Sequence, residues 1–254
     1  MKSDDGADLL AKLARHPLLE GLSPTDVAAL CELGSFVRHP TGDVILREGE
    51  RGQALFLLLS GTARVYFLSA EGIEVTAKFF QAPSVFGELE CLAGLAWLET
   101  VTVIDRATLF RVPADRVPLL IERFPTFTRR LLVDVSQRFC ILIDNAKSLA
   151  FLPVPVRLAN LMLMYARGFG VPVEGGLRIR ISLSQTRLAN DLAVALKSVN
   201  RTLASWIDEG VIEKRRDGYV ILRHDALEEL AKLDSFNLRF MTGGGIGRVG
   251  AGEE

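Results

Sequence analysis

The sequence predicts an α+β chain in three parts: a strand-rich N-terminal roll, a long central helix, and a C-terminal pair of short helices closed by a small hairpin. Three observations carry this. Between Gly34 and Pro113, glycines at 42, 49, 52, 61, 72, 87 and 94 punctuate short apolar runs, as in a fold of many short strands. After Pro125 no proline or glycine interrupts the chain as far as Leu149. From residue 184, two helical patterns are followed by two short strand patterns joined by Asp217-Gly218, a dipeptide suited to a hairpin turn.

Residues 7–31 read as short helices. Leu9, Leu10 and Leu13 recur at helical spacing, and Ser23 before Pro24-Thr25-Asp26 is a capping residue at the start of a second helix. Strand-like runs follow at Leu55–Leu59, Thr62–Leu68, Ile73–Phe80 and Val101–Val112, with Ala70-Glu71-Gly72 as a turn. Together they predict a small barrel or sandwich-like roll.

Beyond Pro125 the apolar residues Leu132, Val135, Phe139, Leu142, Ala146 and Leu149 alternate steps of three and four. This is a heptad seam, so the helix packs along another helix. The partner is either its own domain or the same helix of a second chain, which would make a two-fold dimer; the dimer is the expectation. Phe151-Leu152-Pro153-Val154-Pro155 breaks the helix, because proline lacks an amide donor and restricts its predecessor. Residues 156–167 are expected to be helical, 168–176 a loop and 177–183 a strand. The domains are therefore set at 1–114, 115–150 and 151–233, with 234–254 a disordered tail.

The most specific pattern lies in residues 184–212. Leu188, Ala189 and Leu192 mark a first helix, Ala193–Ala195 a tight turn, and Leu196–Asp208 a second helix with Val199, Leu203, Trp206 and Ile207 facing inward. Its other face carries Lys197, Asn200, Arg201 and Ala204 at positions i, i+3, i+4 and i+7. Such a face fits the DNA major groove, where Arg and Lys read guanine edges and Asn reads adenine. Ser198 and Gln185 are auxiliary candidates. Lys214, Arg215 and Arg216 sit on the following hairpin, a wing whose basic groups suit phosphate contacts. The candidate interface is a winged helix-turn-helix on double-stranded DNA. Residues 178–224 hold nine Lys or Arg against five Asp or Glu, although the whole chain has a net charge of −1, so positive charge is concentrated where the reading helix lies.

Other functions find little support. No apolar run approaches the ~18 residues of a membrane span, and no signal-type segment opens the chain; a cytoplasmic protein is expected. Cys31, Cys91 and Cys140, like His16, His39 and His224, are scattered without metal or redox spacing. The cysteines read as buried apolar thiols, and no metal is expected. No acid–base pair or activated nucleophile stands in a recognisable motif. The glycines from Gly243 to Gly247 do not lie between a strand and a helix, so they are no phosphate loop.

The sequence resembles the Crp/Fnr superfamily of bacterial transcription regulators over about residues 18–233. Gly42–Gly49 through Leu55–Gly61, then Phe86-Gly87-Glu88-Leu89, then Leu188-Ala189 through Val199–Leu203 carry the resemblance. It implies a cyclic-nucleotide-binding-type β-roll (a double-stranded β-helix or jelly roll), a dimerisation helix and a winged helix-turn-helix, with RNA polymerase as partner. In cyclic-AMP responders of this family a Gly-Glu pair and a downstream Arg-Ser pair hold the ligand, the Glu on the ribose and the Arg on the phosphate. Here Gly87 and Glu88 stand in place, but the second segment reads Leu98-Glu99-Thr100, without a cation and with a carboxylate that would repel phosphate. The helix positions that read adenine in such responders align with Leu142-Ile143, which neither donate nor accept. The pocket set implied is thus Gly87, Glu88, Glu99, Thr100, Leu142 and Ile143, and usual cyclic-AMP binding is not expected. Three dispersed cysteines do not make a four-cysteine iron–sulfur site, and His39 and Cys91 stand in no recognisable haem setting. No cofactor is certain; an unidentified small-molecule effector is open.

At the reading helix, family members commonly start Ser-Arg-Glu; this chain reads Ala195-Leu196-Lys197. The cap is lost and the acidic reader has become basic, so a different operator is expected. Besides the ligand-responsive homodimer, a constitutive regulator and a sensor or interaction module with a degenerate DNA domain are open readings.

Overall fold

The computed structural model describes residues 3–70, 72–181, 183–216 and 218–231. They form two compact units, one of residues up to Phe67 with Lys78–Arg138, the other of Leu68–Ala77 with the chain from Phe139 on.

The N-terminal helices are α1 (Ser3–Ala14) and α2 (Pro24–Cys31), separated by a 3-10 turn at Pro17–Leu19. Ser23 starts α2 as the sequence predicts. The Asp26 amide donates to Ser23 Oγ at 3.1 Å and the Ser23 amide donates to Asp26 Oδ2 at 3.3 Å, which satisfies two otherwise orphaned donors. The strands are β1 (Ser35–His39), β2 (Val44–Leu46), β3 (Ala54–Leu68), β4 (Glu74–Gln81), β5 (Ser84–Phe86) and, after helix α3 (Glu88–Ala93), β6 (Thr100–Pro113). Their sheet runs β1-β6-β3-β4, with β2 also on β6 and β5 on β3.

The two strands expected at 55–59 and 62–68 are one strand, β3. The register against β6 shifts around Ser60 and Thr62, and Gly61 sits between them at φ +94°. A Cβ there would meet the Arg106 carbonyl oxygen at 2.5 Å. The glycine therefore marks a bulge inside a strand rather than a turn between strands. Helix α3 is absent from the sequence reading; its six residues are too few to show a period.

Leu55, Leu57, Phe110 and Val112 from the sheet pack with Leu13 and Leu30 from the first helices and with Leu120 of α4 (Val117–Arg123) and Phe127 of α5 (Pro125–Phe151). All are buried, each worth about 1.5–3 kcal/mol of transfer free energy. Helix α5 passes Leu149 without a break and stops at Phe151, before Pro153.

In the second unit, α6 (Val154–Phe169) begins with Pro155 in its first turn, where a missing amide costs nothing. The helix buries Leu158, Met162, Leu163 and Tyr165. The loop expected at 168–176 is instead the end of α6 followed by a hairpin, β7 (Gly170–Val173) and β8 (Gly176–Ile179). The strand expected at 177–183 ends at Ile179. Pro172 hid β7 from sequence inspection; an edge strand tolerates proline, and β7 is the edge of the order β7-β8-β10-β9. Helices α7 (Gln185–Leu192) and α8 (Leu196–Asp208), strands β9 (Ile212–Arg215) and β10 (Gly218–Ile221), and helix α9 (His224–Ala231) complete the unit. Among the described residues no helix is long and apolar enough to cross a membrane. The tail 234–254, its glycine run and Asp217 of the wing turn lie outside the described residues.

Candidate functional site

Two helices and a wing build the first site. Ser184 caps α7, accepting from the Arg187 amide at 3.0 Å, and the Tyr165 hydroxyl on α6 donates to Asp191 on α7. Burial, and then the Asp191 charge, push that hydroxyl up to about 12, so it stays a donor. Ala193 ends α7 in the left-handed region at φ +51°, an uncommon conformation for a residue with a Cβ. The chain turns sharply there into α8.

Helix α8 spans the predicted residues. Val199, Leu203 and Trp206 are buried, but Ile207, expected inside, is 38% exposed. The buried apolar stripe is therefore one residue narrower. On the outer face Lys197, Arg201 and Ala204 are exposed, while Ser198 and Asn200 are half-buried. Asn200 keeps a buried Oδ1 with no hydrogen-bond partner. The cap position, Ala195, has extended geometry (φ −61°, ψ 134°) and offers no side-chain acceptor.

On the wing, Tyr219 pairs with Lys214 and Gly218 with Arg215. Tyr219, Val220 and Ile221 are buried, leaving Lys214, Arg215 and Arg216 exposed. Arg215 is committed to Glu213 through two 3.0 Å bonds, which reduces what it can offer a phosphate. Gln185, expected among the DNA contacts, is half-buried and hydrogen-bonded to Tyr219, an internal tie between α7 and the wing.

The second site is a cavity of about 50 Å³ in the roll, lined by residues that include Gly87, Glu88, Glu90, Glu99, Lys78 and Arg138. Gly87 holds φ +80°, and a Cβ there would sit 2.6 Å from the Ala54 carbonyl oxygen, so β5 can turn into α3 only through glycine. Glu88 is 1% exposed. Arg138, on α5, donates from Nη2 to Glu88 Oε1 at 2.6 Å, and its Nε lies 2.9 Å from Asp134 Oδ2. Glu88 Oε2 has no partner. Burial pushes the Glu88 and Asp134 carboxyls up, and the Arg138 charge opposes it. Glu99 pairs with Lys78 at 3.4 Å.

The sequence reading is corrected here. Segment 98–100 brings no cation, yet the cavity has two, from β4 and α5. Thr100 does not line the cavity; it is buried and accepts from the Glu48 amide at 3.1 Å. Leu142 and Ile143 also lie outside the lining and are exposed on α5. Arg138 escaped sequence reading because its partner Glu88 lies 50 residues away; the only local sign is Asp134, one turn before it.

Of the α5 seam residues, Leu132, Phe139, Leu142 and Leu149 are each more than 60% exposed and Ala146 is exposed, whereas Val135 is half-buried and packs against the core of its own unit. Cys140, expected to be buried, is exposed; Cys31 and Cys91 are half-buried. Burial, followed by Glu90 and Glu88, pushes the Cys91 thiol up to about 11, so it is unreactive as a thiolate. His39 faces Asp43 at 3.3 Å.

Comparison with known proteins matches two parts of the chain. Residues 36–124 match the model for a cyclic nucleotide-binding domain, and residues 156–230 match the Crp-like helix-turn-helix domain. The chain is 28% identical over 220 residues to a CRP-like cAMP-activated global transcriptional regulator of Mycobacterium tuberculosis, covering 87% of this chain and 97% of that one. It is 26% identical over 216 residues to a cyclic AMP receptor protein of Thermus thermophilus, covering 85% and 96%. A solved transcriptional regulator of the CRP/FNR family, also from Thermus thermophilus, shares the fold with a TM-score of 0.65 at 21% identity, over 78% of this chain and 98% of that one.

Proposed function

We propose, for a chain that belongs to the Crp/Fnr family of DNA-binding transcription regulators rather than to any enzyme family, that it works as a homodimer on a specific palindromic operator. We further propose that its roll does not take cyclic AMP in the usual manner. The observation that carries the first part is the exposed Lys197–Arg201 stripe on α8 beside a wing bearing Lys214 and Arg216. Lys197 and Arg201 make the main base contacts, Ser198 and Asn200 assist, and the wing binds phosphates. The exposed seam Leu132–Leu149 on α5 supports the dimer, since a row of apolar side chains in water is stabilised by a partner. Two reading helices about 34 Å apart would then engage successive major grooves. The partner in transcription is RNA polymerase, and the setting is the cytoplasm.

The second part rests on the roll cavity. Two of the relatives are named for cyclic AMP, but this pocket sets Glu88, Glu90 and Glu99 around Lys78 and Arg138, and Asp134 holds Arg138 from its own helix. A cyclic phosphate would have to break Lys78 from Glu99 or Arg138 from Glu88, each exchange leaving a carboxylate unpaired.

The test is selection of sheared host genomic DNA by the purified protein near ~150 mM salt, where non-specific binding is already weakened, with and without cyclic AMP. The expected result is one palindromic motif, enriched equally in both arms. A motif that required cyclic AMP would overturn the pocket reading, and no motif would favour a sensor module with a degenerate DNA domain.

A further inference from the structure

The turn between β3 and β4 does not group with the roll that those strands build. Residues Leu68–Ala77 form one unit with the chain from Phe139 on, so this hairpin tip is part of the DNA-reading unit. The tip is closed by its own bonds. The Ser69 amide donates to the Ile73 carbonyl and the Gly72 amide to the Ser69 carbonyl, both at 2.9 Å, and the Ile73 amide donates to Ser69 Oγ at 3.1 Å.

One carboxylate holds the tip. The side chain of Asp191, on α7, is fully buried. Its Oδ1 accepts from the Thr76 backbone amide at 2.8 Å. Its Oδ2 accepts from the Tyr165 hydroxyl of α6 and lies 3.9 Å from Nε of Arg187, one turn earlier on α7. Arg187 in turn donates from Nη2 to Thr76 Oγ1 at 3.4 Å, which closes a ring of Asp191, Thr76 and Arg187. Thr76 is buried. A buried charge is costly to strip of a partner of this kind. Apolar packing adds little beside it: Ile73 is largely exposed, and Ile73 and Val75 line, together with Ala189 and Val194, a cavity of about 310 Å³. The tip is thus held by directional bonds, which a shift of about 1 Å ends. Lys197 and Arg201 stay exposed while the tip is held, so the contact leaves the reading face open.

We propose that Asp191 is the catch of a latch, a positioning residue that touches no DNA. By holding the Thr76 amide it fixes the β3–β4 hairpin on α7, and the closed latch is the state in which α8 is presented to DNA. The inference rests on the regulator reading above and specifies what holds the reading unit in its competent state. Because β3 and β4 run from this hairpin into the roll, opening the latch uncouples the reading helices from those strands.

The experiment breaks the latch from each side in the full chain. Thr76→Pro removes the hairpin's donor, and Asp191→Ala removes the acceptor. Hydrogen exchange of residues 68–77 is measured for wild type, both single variants and the double variant, with affinity for the selected operator and for unrelated duplex DNA near ~150 mM salt. The expected result is slow exchange in wild type and faster exchange in each variant. Each single variant should lose operator affinity at least roughly tenfold, with affinity for unrelated DNA unchanged. The double variant should lose no more than the worse single one, since both sever the same bond. A folded single variant with unchanged operator affinity overturns the proposal. So does an equal loss on both DNAs, or losses that multiply in the double variant. Should Asp191→Ala not fold, Thr76→Pro decides by its operator affinity alone. If wild type binds no operator, the regulator reading fails by itself, while exchange of the hairpin, which needs no DNA, still tests the latch: fast exchange in wild type overturns it.

Discussion

The Nε2 of His16 lies 3.1 Å from the carbonyl oxygen of Ser84, 68 residues away in the chain. On the other side of the ring, Nδ1 accepts from the Leu18 amide at 3.3 Å. A ring that accepts at Nδ1 must be neutral, with its proton on Nε2 for Ser84. Burial lowers its pKa to about 4, against the usual 6.5, the bond to Ser84 only partly offsetting this. The folded state thus binds fewer protons than the unfolded one as pH falls below 6.5. The stability contributed by neutral His16 is full above that value and is lost as pH falls through about 4, by ~3 kcal/mol. Urea unfolding near pH 7.5 and near pH 4, for wild type and His16→Gln, should give a larger acid loss in wild type. Equal losses would mean that His16 does not titrate on unfolding.

Arg201 is exposed at the centre of the α8 outer face. Arg201→Ala should weaken operator binding by roughly 1–3 kcal/mol and relax preference at one base position per half-site. Binding to a library randomised at each position measures both effects.

On the wing, Arg216 and Arg215 should behave differently. Arg216→Ala should weaken binding evenly across sequences and reduce the salt slope by about one. Arg215→Ala should do less, because Arg215 is already held by Glu213. Salt titrations of the two variants check the ordering.

Ala195→Ser should stabilise the start of α8 by about 1 kcal/mol. The backbone at 195 already has the extended geometry of a cap and lacks only the side-chain acceptor. In a chain of this size that raises the melting temperature by about 2–4 °C. An unchanged melting temperature would show that the hydroxyl finds another partner.

Leu142 is 62% exposed, so Leu142→Glu should leave the fold of each chain intact. Sedimentation should show subunit association weakened by roughly 100-fold, since a charge would be buried at the seam. Operator affinity should fall with it. A dimer of unchanged strength would place the interface elsewhere.

What the sequence made legible was local. The Ser23 cap and α8 from Leu196 to Asp208 could be read because spacing and capping within a dozen residues determine them. What it hid depends on tertiary partners. Ile207 sits on the inward stripe by spacing alone, but it stands at the stripe's edge, where packing decides. Gln185 resembles a DNA contact until Tyr219 is seen to hold it. Arg138 looks like an ordinary charge on an exposed helix face, and only the fold of the roll brings Glu88 to it. Helix α3 and strand β7 are too short for periodicity to reveal.

Pro172 has one more effect. In the β7–β8 hairpin Val173 faces Gly176 and Pro172 faces Leu177, and the Arg180 amide donates to the Phe169 carbonyl at 2.9 Å. With Val173 and Gly176 flanking a two-residue turn, this alternation directs the nitrogen of Pro172 outward, away from β8. That outward position has no hydrogen to donate. A stray strand aligning along β7 would find a gap in the ladder it needs. The DNA-reading unit is thereby guarded, on that side, against sheet-to-sheet polymerisation when many copies crowd together.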